Sequence, residues 1–192
     1  MKNFWIGLAV FLGLAGGVLG WGVSTSNHLV NLDETVNEKW SQVENVYQRR
    51  ADLIPNLVNT VKGYAKHEAQ VLEEVTKARA QVGQVRVNDP KSLERFDQAQ
   101  GQLTQSLSRL MIVAEKYPEL KADQNFLNLQ SQLEGTENRI AVERMRFIES
   151  ARIYNSYLRS FPQSLIASMR GFAARPYFQA EATAKAVPKV EF

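Results

Sequence analysis

Arg50 and Glu68 interrupt a stripe of otherwise apolar positions. If that stripe is buried, each needs a partner, because an unpaired charge in a dry interior is strongly destabilising. Around Arg50 the chain gathers Arg49, Asp52 and Asn56 beside Pro55, and a second polar knot of Glu137, Asn138 and Arg139 follows much later. Two kinds of chemistry fit these groups. One is a recognition site at which a proline kink frees backbone carbonyls; the other is a buried ion-pair network that fixes helix register, the commoner use of polar layers in long bundles. His67-Glu68 has the residue types of a metal site, yet no second histidine lies within reach, and His28 stands beside an apolar run. A solvated or hydrogen-bonded histidine is the expectation, with no metal and no cofactor. The chain holds no Cys, which excludes a disulfide scaffold, a thiolate nucleophile and a Cys/His zinc site. Neither histidine has the carboxylate spacing of a di-iron bundle, and no Ser/His/Asp constellation appears, so an enzyme is not expected.

A third set is the run of seven arginines over residues 139–175, namely Arg139, Arg144, Arg146, Arg152, Arg159, Arg170 and Arg175, against Glu143 and Glu149. Phe147, Tyr154, Tyr157, Phe161, Phe172, Tyr177 and Phe178 are interleaved with them or follow closely. The sharper reading is a docking surface for anionic lipid headgroups or an acidic partner, carried by Arg152, Arg159, Arg170, Arg175, Phe172, Tyr177 and Phe178. The plainer reading puts the arginines on a solvated helix face and the aromatics in the core. Residues 33–160 carry 18 Lys/Arg against 18 Asp/Glu, so the formal net charge of +3 comes from the ends. A neutral body argues against a nucleic-acid partner, which requires a concentrated basic face.

The elements that must position these groups begin with an anchor. Residues 3–32 contain no charge, and residues 4–23 supply the roughly 20 apolar positions that a hydrocarbon core demands of a helix. Trp5 and Trp21 stand about 24 Å apart along a helix, so both rings reach an interface. A cleaved signal peptide is the competing reading, with Lys2 as its charged start and residues 18–20 as its cleavage site, although the apolar run continues past that site. Two interleaved small-residue pairs, Gly13/Gly17 and Gly16/Gly20, leave a smooth face on which spanning helices can approach, though glycine is also simply common in such helices. Lys2 on one side and Asp33, Glu34 and Glu38 on the other favour the N-terminus inside the cytoplasm and the remaining chain outside it.

Beyond the anchor, apolar residues recur at steps of three and four from residue 29 to residue 85, the pattern of a coiled coil or long bundle. The stripe stays in phase across Pro55, which predicts one kinked helix in preference to a hairpin there. Asp89-Pro90 predicts the start of a second helix, whose stripe of Leu93, Phe96, Leu103, Leu107, Leu110, Ala114 and Tyr117 is interrupted only by Gln100. Pro118 closes it. Asp123 caps a third helix running to residue 161, a short helix over residues 163–169 ends at Gly171, and the rest reads as an extended tail. The expected architecture is all-α: an anchor over residues 1–26, an antiparallel helical bundle over 27–161, and a short helix with an extended tail over 162–192. If the first helix rises about 80 Å, the second returns about 40 Å and the third climbs again, the basic end lies far from the bilayer and favours a protein partner.

Several words of the sequence resemble the LemA family of bacterial membrane proteins. They are NHLVNL at 27–32, WSQVENVYQRRADLIPNL at 40–57, VKGY at 61–64, YPELKADQNFL at 117–127, GTENRI at 135–140, FPQSLIASMRGFAARPYF at 161–178, and the terminal Val190-Glu191-Phe192. The chain departs from the family where a Tyr-Asn pair is usually repeated: it has Phe147-Ile148 and keeps only Tyr154-Asn155. The resemblance implies a membrane anchor with a helical domain, no established enzymatic activity, and no small-molecule substrate. It implies a single-pass protein of the bacterial cytoplasmic membrane that works as a scaffold or adaptor for envelope proteins, a membrane metalloprotease being one candidate partner and a homo-oligomer one candidate state. The alternative is a membrane-shaping protein that self-assembles on lipid.

Overall fold

A computed structural model describes residues 2–85, 87 and 90–178. Their regular structure is entirely helical: α1 (Lys2–Tyr64), α2 (Ala69–Val82), α3 (Pro90–Ala114), α4 (Pro118–Lys121), α5 (Gln124–Arg159) and α6 (Gln163–Arg170). The all-α expectation therefore holds. The expected Asp89 cap and the terminal Val190-Glu191-Phe192 lie outside the described residues.

The single helix expected over residues 29–85 is corrected. α1 does pass through Pro55, which is exposed, but the chain turns at residues 65–68 and returns as α2. An apolar stripe of helical period is the same whether it lies on one rod or on two arms folded together, so its phase carries no information about the turn. Folding back decides the matter energetically, because it lets Leu57 and Val61 share a core with Leu72, Val75 and Ala78. Full burial of such a side chain contributes about 1.5–3 kcal/mol. Two tyrosines tie the turn down: Tyr64 Oη donates to Asp123 at 3.0 Å, and Tyr117 Oη to Glu68 at 3.3 Å.

The described chain divides into two units. One comprises residues 41–148 with 176–178. Within it Arg79 of α2 meets Ala51 of α1, Arg50 meets both Gln100 of α3 and Glu137 of α5, and Arg109 of α3 meets Glu74 of α2. These pairings define four helical segments running alternately up and down, with α3 parallel to α1 and with α2 and α5 antiparallel to it. Leu103, Leu110, Leu120 and Phe126 join the core built on the first two arms. α5 begins on a side-chain cap, Asp123 Oδ1 accepting the Phe126 amide at 2.9 Å, as the sequence led one to expect.

The other unit comprises residues 2–40 with 149–175. Its core is Leu29, Val36, Ala151, Tyr154 and Ala167. His28 and Tyr157 meet edge to face at 4.6 Å. α6 ends at Gly171, whose φ of 72° favours glycine, and the Phe172 amide reaches back to the Ala167 carbonyl at 3.0 Å. The expected climb of the third helix away from the anchor is also corrected. Because α2 inserts an extra return, α5 runs antiparallel to α1, and its C-terminal end belongs to the same unit as residues 22–33.

Candidate functional site

Two polar interruptions of two apolar stripes meet inside the four-helix unit. Arg50 projects from α1 at a position where its neighbours on the stripe, Tyr47 and Ile54, are buried, and Gln100 interrupts the α3 stripe between Phe96 and Leu103. Arg50 Nη2 donates to Gln100 Oε1, and Nη1 donates to Thr104 Oγ1 at 3.1 Å and to Glu137 Oε2 at 2.8 Å. The guanidinium also lies 5.2 Å from the centre of the Tyr47 ring. The pair straddles the edge of the core: the side chain of Arg50 is 3% exposed and that of Glu137 is 53% exposed. Such an arrangement pairs a buried cation while leaving its anion partly hydrated, which avoids much of the cost of desolvating both.

A second charged pair stacks beside the first. Arg144 of α5 donates to Asp97 Oδ1 at 2.8 Å and to Tyr47 Oη at 3.1 Å, and its guanidinium sits 4.0 Å over the Phe178 ring. Phe178 in turn meets Phe147 edge to face at 5.7 Å. Burial draws the Arg144 pKa down, but Tyr47 and Asp97 outweigh it and the net shift is upward; burial raises that of Tyr47, which Arg144 partly offsets. Between these pairs opens a cleft of about 550 Å³, lined among others by Arg50, Gln100, Thr104, Glu137, Asn138 and Arg144. Two buried donors of its lining residues, Arg50 Nε and Gln100 Nε2, have no hydrogen-bond partner among the described residues. The groups present can recognise carbonyl or carboxylate oxygens by hydrogen bonds. They do not form a nucleophile and base: the Thr104 hydroxyl accepts from Arg50 and donates to the Gln100 carbonyl at 3.1 Å.

The remaining residues singled out in the sequence scatter. Arg49, Asp52 and Asn56 are exposed, so the knot around Pro55 is no buried cluster; Asp52 accepts from Gln48 at 2.7 Å. Glu68 lies half-buried in the turn after α1, held by Tyr117. Asn138 and Arg139 are exposed, Asn138 at the cleft. His67 is exposed in the same turn as Glu68. Gly13, Gly16, Gly17 and Gly20 each have nothing within 4 Å of where a Cβ would stand, so that face of α1 is open.

The arginine run is not one basic face. Arg144, Arg146, Arg152 and Arg175 pair with Asp97, Glu143, Glu149 and Asp33 respectively. Arg175 is the most engaged: Nε and Nη2 form a fork on Asp33 at 2.8 and 2.9 Å, and Nη2 also reaches Asn37 at 3.0 Å. The Asp33 hydrogen bond is the main reason its pKa rises. Asn155 holds the backbone of Arg175 from both sides, donating to its carbonyl and accepting from its amide at 2.8 Å each, while Tyr154 Oη donates to Ala173 O at 3.0 Å. The retained Tyr154-Asn155 pair is thus the clamp on residues 173–175. Arg139, Arg159 and Arg170 are exposed and have no acidic partner among the described residues; Arg159 Nε donates to its own helix at the Asn155 carbonyl. Phe172 is half-buried, Tyr177 exposed and Phe178 buried.

Sequence reasoning missed Gln100, Thr104, Asp97 and Arg79 as members of these networks. For Gln100 a signal existed, since it is the one polar residue in the apolar stripe of α3, and a buried polar side chain needs a polar partner on a neighbouring helix.

The LemA family model matches residues 39–192. Magnetosome protein MamQ 2 of Paramagnetospirillum magneticum is 26% identical over 174 residues, covering 80% of this chain and 64% of its own length. Magnetosome protein MamQ of Magnetospirillum gryphiswaldense is 25% identical over 173 residues, covering 79% of this chain and 64% of its own length. Protein LemA of Metamycoplasma hominis is 21% identical over 158 residues, covering 82% and 70%. The chain thus spans less than two thirds of the length of the MamQ relatives it matches.

Proposed function

The chain belongs to the LemA family, and from that premise we propose that it is a single-pass protein of the bacterial cytoplasmic membrane whose helical domain, outside the cytoplasm, works by binding other envelope proteins as a scaffold or adaptor. One observation carries the reading. The N-terminal stretch of α1 has a mean hydropathy of 2.0 over an 18-residue window, none of it buried, and it continues without a break into the helix that carries the domain's own core. A helix of that length and polarity is stable in hydrocarbon, where every backbone group is satisfied within the segment. The interior polar groups support binding over catalysis, because the cleft presents the unpaired donors Arg50 Nε and Gln100 Nε2 and its Thr104 hydroxyl has no base beside it among the described residues. Crosslinking in the native membrane, followed by identification of the captured proteins, tests the reading. The expected result is reproducible capture of one or a few envelope proteins, a membrane metalloprotease being one candidate. Capture of copies of this chain alone would overturn it.

The second reading, a membrane-shaping protein that self-assembles on lipid, is favoured by the open glycine face of α1 and by relatives that are themselves magnetosome proteins. Deformation of liposomes by the purified chain would select it.

A further inference from the structure

α6 is built the wrong way round for a helix surrounded by water. It buries its small Ala167, while Leu165 and Met169, one turn apart, are 55% and 82% exposed, and Phe161 in the turn leading into the helix is 81% exposed. Leu165 and Met169 therefore share one face of α6, and with Phe161 beside them the α5–α6 corner carries three large apolar side chains that its own unit leaves largely uncovered. A patch of this kind marks an interaction site, and its position says with what. Ile166, the residue after Leu165, packs on α1: a Cβ added at Gly22 would meet Ile166 Cδ1 at 3.6 Å. Gly22 lies in the last turn of the apolar stretch, one residue past the half-exposed Trp21. About 20 residues of helix cover the hydrocarbon thickness, so α6 is level with the end of the span, the depth at which amphipathic side chains settle.

Charge agrees with this placement. Arg159 before the corner and Arg170 at the end of α6 are exposed without acidic partners among the described residues, whereas the nearby Asp33 and Glu149 are neutralised by Arg175 and Arg152. Guanidinium groups flanking an apolar face meet headgroup phosphates when that face enters a bilayer.

We infer that Phe161, Leu165 and Met169 form a foot that inserts into the lipid interface beside the point where α1 leaves the bilayer, so that the domain is fixed to the membrane at two places. The occupant is the bilayer surface on the domain's side, with Arg159 and Arg170 on its phosphates. The foot holds the unit of residues 22–40 and 149–175 against the membrane. This rests on reading residues 4–23 as a membrane span.

The absence of cysteine in the chain makes the test direct. Full-length single-cysteine variants Phe161→Cys, Leu165→Cys and Met169→Cys are spin-labelled in reconstituted phosphatidylethanolamine/phosphatidylglycerol vesicles, with Leu14→Cys in the span and Glu34→Cys on exposed α1 as references. Accessibility to oxygen, which partitions into lipid, is compared with that to a water-soluble nickel chelate. The three foot positions are expected to favour oxygen over nickel relative to Glu34, at depths of about 5–10 Å below the headgroup boundary. A lipid-like signal at Leu14 with water-like signals at all three foot positions would overturn the foot and leave the anchor standing. A water-like signal at Leu14 would overturn the anchor itself. Labels at the foot shielded from both reagents would mean that a second copy covers the patch, which also overturns the inference. Circular dichroism of each labelled variant, matching the parent, confirms that the helices are intact.

Discussion

Arg79 Nε donates to the carbonyl of Ala51 at 2.8 Å, and that carbonyl is the one whose helical partner would have been the amide of residue 55. Residue 55 is proline and has no amide. A proline inside a helix leaves the carbonyl four residues earlier without its hydrogen bond, and here a side chain from the antiparallel arm supplies one. The carbonyl that Pro55 frees is thus used by a group internal to the bundle. This contact ties α2 to α1 at the carbonyl that Pro55 leaves without its helical bond.

The two residues should therefore be coupled. Arg79→Met is expected to cost about 1–2 kcal/mol in the parent, the worth of a hydrogen bond from a charged donor plus an acceptor left bare. In a Pro55→Ala background, where the helix amide is restored, the same change should cost clearly less. Denaturant melts of the four chains of this double-mutant cycle measure the coupling, and equal costs in both backgrounds would show that Arg79 does not serve the proline.

Arg50 is the most exacting charge in the bundle. Arg50→Ala should cost on the order of 3 kcal/mol, through lost hydrogen bonds to Gln100 and Glu137 and the volume left behind. Replacing the polar contact by apolar volume, Arg50→Met with Gln100→Leu, should lie within about 1.5 kcal/mol of the parent, because filled apolar interiors often match buried polar pairs. Thermal melts rank the variants. A loss for the double replacement as large as for Arg50→Ala would mean that the network contributes net stability and more than register.

Asn155→Ala removes both bonds to the Arg175 backbone, from a side chain that is itself buried. A loss of about 2 kcal/mol is expected, with faster hydrogen exchange at the Arg175 amide, while exchange across α3 stays unchanged. Uniform acceleration throughout the chain would indicate global destabilisation and not release of the clamp.

Asp123 gives a pH dependence of definite sign. The Phe126 amide, then the Tyr64 hydroxyl, hold its carboxyl below the ordinary value of 3.8. The folded chain therefore binds this proton less readily than the unfolded chain, and the stability that Asp123 contributes is complete above about pH 4 and is lost as pH falls through the lower folded value. Asp123→Asn keeps a capping oxygen but does not titrate. The melting temperature of the parent should fall toward, or below, that of Asp123→Asn as pH drops from 5 to 2, and a constant difference across that range would exclude this titration.

Periodicity and punctuation by themselves determined the helical class, the apolar start of α1, the Asp123 cap and the end of α6 at Gly171, because each rests on residues within a turn or two of one another. Pairing was another matter. An apolar stripe specifies a buried face without saying what buries it, so residues 29–85 read as one rod although the same stripe serves two arms, and only the tertiary packing placed the turn at residues 65–68. That one extra reversal inverts the direction of α5 and brings residues 149–175 into one unit with the anchor-side end of α1. The arginines show the same limit from the side of charge. Their accumulation was visible in the chain, but whether a guanidinium faces solvent depends on which carboxylate the fold carries to it, and Asp33 and Arg175 meet across 142 positions of sequence. Local interactions are legible from local sequence, whereas the identity of a distant partner is decided by the three-dimensional competition among all faces that need covering.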